Sequence, residues 1–173
     1  MRQFVFSALF ALGAQTATAQ EAAPCGGDHA AWLETHAEEM TGTWTDTPVF
    51  GLMVGQPMPL GPPEPVLMTA IPNGFSTIGE EPVREYQLLL TDEPFAIDPP
   101  GGPEALARLD TVETPDCAIS DLPHLAATYT LEIDGQPVEG SLAAIVASTT
   151  TMHIWFVLDT EFGRIEQLSR LTR

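Results

Sequence analysis

From residue 128 to the C-terminus, apolar and polar side chains alternate with a period of two, and turn residues cut the pattern at short intervals. Thr128 to Ile133 places Tyr129, Leu131 and Ile133 on one face, and Asp134-Gly135 then supplies a hairpin turn into a partner strand, Val138 to Ala147. Ser148 to Thr151 turns the chain into Met152–Asp159. Its two faces, Met152, Ile154, Phe156 and Leu158 on one side and His153, Trp155 and Val157 on the other, are both largely apolar. Thr160 to Gly163 turns again into Arg164–Leu171. Four consecutive strands with no intervening helix predict a mainly β fold: an antiparallel up-and-down β-barrel or a strongly curved sheet, because parallel pairing would need long crossovers.

Upstream the texture differs. Residues 27–41 carry Ala31, Trp32 and Ala37 among polar positions, with Asp28 to cap the start and Gly42 to end the run, which predicts a short N-terminal helix. Twelve of the 16 prolines fall between residues 48 and 103. That density excludes long helices there and predicts mostly loop, with short strands such as Pro65–Ala70 and Tyr86–Thr91. Residues 104–109, EALARL, suit one or two helical turns.

The charge balance excludes whole classes of partner. Six arginines, no lysine and 24 acidic residues give a net charge of −18. A field of that sign repels phosphate backbones and anionic lipid surfaces, so no nucleic-acid partner is expected. Arg2, an apolar run from Phe4 to Ala14 and Ala17-Thr18-Ala19 read as a secretory signal peptide over residues 1–19, leaving 20–173 as a single domain. Its apolar run is too short for the roughly 20 residues that span a bilayer, so no membrane span is expected and the location is periplasmic or secreted. In such an oxidising compartment Cys25 and Cys117 are expected to form a disulfide, closing a loop of about 90 residues and contributing about 4 to 5 kcal/mol in the chain-entropy account.

Sites of chemistry are sparse. There is no G-x-S-x-G, Walker loop, H-E-x-x-H or dinucleotide fingerprint. The acidic doublets Glu38-Glu39, Glu80-Glu81 and Asp92-Glu93 suit solvated faces, since adjacent positions on one element do not converge. No enzyme activity and no cofactor are therefore expected. The sharpest metal reading pairs His36 and Met40 at i, i+4 on the predicted helix, an imidazole and a thioether that would suit copper. His29, Met53, Met58 and Met68 are further soft or imidazole donors, but no H-x-H or M-x-M cluster gathers them, and methionine commonly fills irregular gaps.

A helix running directly into Gly42-Thr43-Trp44, then antiparallel strands, then a last strand ending in arginines resembles the lipocalin and wider calycin group of β-barrels. The resemblance implies that Trp44 plugs one end of a barrel and that Arg170 or Arg173 packs across its indole. It also implies a small apolar ligand held inside, for which Tyr129, Leu131, Leu142, Ile154 and Phe156 are the candidate contacts, with Gly140, Ala144 and Ala147 leaving room and residues 55–65 as a lid. The alternatives are a protein-interaction or inhibitor module with a filled core, acting through a loop or strand edge, and a periplasmic copper protein.

Overall fold

The computed structural model describes residues 24–79, 85–92, 118–133 and 135–173. The expected leader, Cys117 and the turns expected at 104–109 lie outside those residues. A helix, α1 (His29–Met40), leads into β1 (Gly42–Met53), followed by β2 (Gln56–Pro57), β3 (Glu64–Ile71), β4 (Gly74–Gly79), β5 (Glu85–Leu90), β6 (His124–Ile133), β7 (Gln136–Ser148), β8 (Thr151–Thr160) and β9 (Gly163–Thr172). The short β2 pairs antiparallel with β1 alone, β1 and β3 to β9 pair antiparallel in succession, and β1 also pairs with β9 from Thr45↔Thr172 to Met53↔Ile165. That last ladder closes an eight-stranded barrel and removes the two outer edges an open sheet would expose.

Helix α1 starts where Asp28 Oδ1 accepts the Ala31 N–H at 3.1 Å. At its other end the Trp44 indole N–H donates to the Met40 carbonyl at 2.8 Å, which satisfies one of the carbonyls a helix terminus leaves open. Thr41 extends the junction, its hydroxyl accepting the Ala70 N–H of β3 at 3.1 Å. Leu33 and Met40 enter the same core as Trp44, Met68, Phe75, Leu88 and Met152, all of them buried. The helix thus forms the floor of the barrel, and the end near Gly42 is closed by apolar packing.

The proline-rich stretch is mainly strand over its described residues, which corrects the expectation of loop. Pro65 and Pro57 sit at strand starts or on the short β2, where a missing N–H is tolerated. Pro48 lies within β1 beside a register shift between Pro48 and Phe50. This bulge changes which face the following residues present. Trp44 points inward, whereas Phe50 and Leu52 pair in register with Leu168 and Glu166 and join Trp155 and Leu168 in a second buried cluster on the outer face. Strand β8, apolar on both faces in sequence, is accordingly buried on both: Met152 and Ile154 inside, His153 and Trp155 outside. Pro72-Asn73, with Asn73 at φ 60°, joins β3 to β4 in a two-residue connection, fitting Pro and Asn preferences at successive turn positions. No helix among the described residues is long and apolar enough to cross a membrane.

Candidate functional site: an aromatic cleft at the open end

An eight-stranded barrel is just wide enough either to fill with side chains or to hold one small ligand. Here the two halves differ. Near the floor the interior is packed solid, with Trp44, Met68, Phe75, Leu88, Leu125, Met152 and Ile154 at 0% exposure. Toward the other end β5 and β6 part: they pair only at Leu89↔Ala126 and Leu90↔Leu125, both near the floor, whereas β6 pairs with β7 over ten positions. The wall is zipped at the bottom and split above.

The split opens a cavity of about 620 Å3, lined among others by Tyr86, Tyr129, Leu131, Gly140 and Phe156. Tyr86 and Phe156 meet edge to face, with ring centroids 6.3 Å apart. Tyr129 lies flat against the backbone of β7, where a Cβ on Gly140 would come within 2.3 Å of the Tyr129 ring, and its hydroxyl reaches the Val157 carbonyl at 3.4 Å. Glycine at 140 is what lets the tyrosine lie back against the wall and leave the volume empty. A second opening of about 760 Å3 runs along the β5–β6 seam past Leu89, Ala127 and Leu142. A third, about 680 Å3, occupies the barrel mouth between the hairpin tips, lined by Met53, Val54, Val138, Phe162 and Ile165.

Of the ligand contacts expected from sequence, Tyr129, Leu131 and Phe156 line the cleft and Leu142 lines the seam. Ile154 is fully buried in the packed half. Tyr86 was not among them, although Tyr86, Leu88 and Leu90 alternate in the sequence and share a face; that alternation was the available signal. The 55–65 segment forms β2 and then packs Met58 and Leu60 against Gly51, where an added Cβ would come within 2.7 Å of Met58.

Trp44 is wholly buried and capped by α1. Arg170 pairs in register with His153 and Thr47, which turns it to the outer face, on the other side of the sheet from the indole. The Arg173 guanidinium lies beside Gly42, about 3.4 Å from where a Cβ would stand. It is the helix that covers the tryptophan. His36 and Met40 do not converge on an ion: Met40 is sealed in the core, while the His36 ring packs on Trp32 at 4.6 Å and Nδ1 meets Glu39 at 3.3 Å. Among the described residues no group of three or more His, Cys, Asp or Glu side chains is placed to hold a metal.

His153 and Glu166 are ionisable groups buried on the outer face whose pKa values are shifted. His153 is 1% exposed, neither ring nitrogen finds a hydrogen-bond partner among the described residues, and burial, aided by the nearby Arg170 charge, lowers its pKa to about 4. Burial raises the Glu166 carboxyl, and the Arg164 guanidinium in contact with it works in the opposite direction. Both stand on the far side of the sheet from the cleft, by register with Trp155 and Leu168. No family model, curated protein or solved structure matches the chain.

Proposed function

We propose that this protein is an exported, lipocalin-like carrier that holds a small apolar molecule between β5 and β6 and performs no chemistry on it. The observation that carries this reading is the aromatic-lined cavity, kept open by Gly140 and by the parting of two strands, in a barrel whose other half is densely packed. Its volume lies in the range of small-molecule sites, and its walls combine three aromatic rings and Leu131 with hydroxyl, backbone and carboxylate groups. Export rests on the leader-like N-terminus and brings with it the Cys25–Cys117 disulfide. The Gly26 N–H donates to the Asp121 carbonyl at 2.6 Å and His29 Nε2 lies 3.1 Å from the same oxygen, so the segment holding Cys25 is pinned four residues downstream of Cys117.

Titration with the neutral fluorophore N-phenyl-1-naphthylamine tests the carrier reading. Saturable one-to-one binding is expected, weakened at least tenfold in Gly140→Ala, whose methyl would push the Tyr129 ring off the wall. Leu131→Trp, which places a large ring in the cleft without disturbing the Gly140 contact, should weaken binding in the same way. No saturable binding to the wild-type protein would overturn the reading.

A further inference from the structure

We infer that the carrier site selects amphiphiles with a cationic head, an organic amine or quaternary ammonium on an apolar body, over fatty-acid-like anions. This rests on the carrier reading above and specifies its ligand. The argument joins two separate features, what lines the cleft and what stands at its rim. The inward-facing described residues that line the openings are uncharged: Tyr86, Tyr129, Leu131, Gly140 and Phe156 around the cleft, and Ile165 and Val138 at the mouth. Alternation along the strands sends their neighbours to the outer face, and there both openings are edged by carboxylates. Glu85, Glu139 and Asp159 border the cleft, and Glu139, Asp159 and Glu161 border the mouth, all four exposed.

Compensating cations are scarce. The described arginines are Arg164, Arg170 and Arg173, and the last two lie toward the floor by register. Arg164 is shared between Glu166 and Asp159, at 3.9 Å from the latter, so the described rim residues carry a net negative charge. A carboxylate head brought to this rim meets like charge, and among the described residues the one basic side chain there, Arg164, is already engaged by Glu166 and Asp159. An ammonium head meets opposite charge while its apolar part lies on aromatic rings, whose faces also attract cations. Because the rim is exposed, the preference must weaken with salt.

The test is displacement of bound N-phenyl-1-naphthylamine, at pH 8 and low ionic strength, by three decyl amphiphiles below their micelle concentrations: decyltrimethylammonium, decanol and decanoate. Decyltrimethylammonium is expected to compete about tenfold better than decanoate, with decanol between them, and the gap should shrink in 0.5 M salt. The double variant Glu85→Gln/Glu139→Gln should narrow the gap at low salt. Equal or better competition by decanoate, or a gap indifferent to both salt and the double variant, would overturn the charge selection while leaving the carrier reading standing. Failure of the fluorophore itself to bind removes both.

Discussion

At the scale of single residues, the least comfortable side chain is His153. Its two ring nitrogens are buried without hydrogen-bond partners among the described residues, and its pKa is depressed to about 4 from an ordinary 6.5. Between those values the unfolded chain takes up a proton that the folded one refuses, so stability should fall as the pH drops from about 6.5 to about 4, by up to about 3 kcal/mol. Glu166, raised by burial, acts in the opposite sense, so the His153 contribution is isolated by comparison with His153→Leu. Urea unfolding at several pH values should show a shallower acid slope for the variant and no loss of stability at pH 7, because the substitution removes an unsatisfied polar group. A variant with the wild-type slope would mean that the imidazole is not the group that titrates. Gly140 works through what it omits, and a sequence search for small residues that leave room inside a barrel could find it. The burial of Trp44 was foreseeable from Gly42-Thr43-Trp44. Its cover was not, because which groups reach an indole depends on the angle at which a helix docks, and no local pattern encodes that angle.

At the scale of elements, the four C-terminal strands were legible because their alternation is uninterrupted and each turn carries residues suited to it. Gly163, for instance, sits at φ 122°. Strands β3 and β4 were half hidden, since a high proline count usually signals loop, yet Pro65 sits where β3 begins and Pro72 sits in the turn. The bulge at Pro48 was not legible at all. A strict period of two carries Phe50 and Leu52 inward with Trp44, and one extra residue sends them outward to Trp155. Val54 marks a conflict of another kind. With Gly55 it forms the two-residue turn between β1 and β2, at φ 51° and 74°, a geometry that suits Asn-Gly and strains a β-branched residue. Its N–H donates to the Arg164 carbonyl at 2.8 Å, and its methyls fill the space over Gly163. Val54→Asn should relieve backbone strain and raise stability by about 1 kcal/mol in chemical denaturation. A loss of stability greater than about 1 kcal/mol would show that the packing on Gly163 outweighs the turn.

At the scale of the whole molecule, a floor-sealed barrel with one split seam divides its interior into a half that supplies stability and a half that is left open. Substitutions should divide the same way. Phe75→Ala, in the packed half, should cost about 3 to 5 kcal/mol, whereas Phe156→Ala, at the partly exposed edge of the cleft, should cost less and act chiefly on binding. The proposed disulfide would tie the segment before α1 to the chain upstream of β6. Reduction, or Cys25→Ser, should lower stability by roughly 2 to 5 kcal/mol without altering the strand content seen by circular dichroism. The charge of −18 and the closed barrel were both open to sequence reasoning. The parting of β5 from β6 was not, because strand separation depends on how eight ladders share one circumference. The central claim is that the parted half holds a guest, and native mass spectrometry of the protein purified from its own host, without detergent, tests it most directly. One apolar or cationic amphiphile per chain, released by organic extraction and lost in Leu131→Trp, is the expected result; a bare polypeptide mass that takes up neither N-phenyl-1-naphthylamine nor decyltrimethylammonium would contradict it.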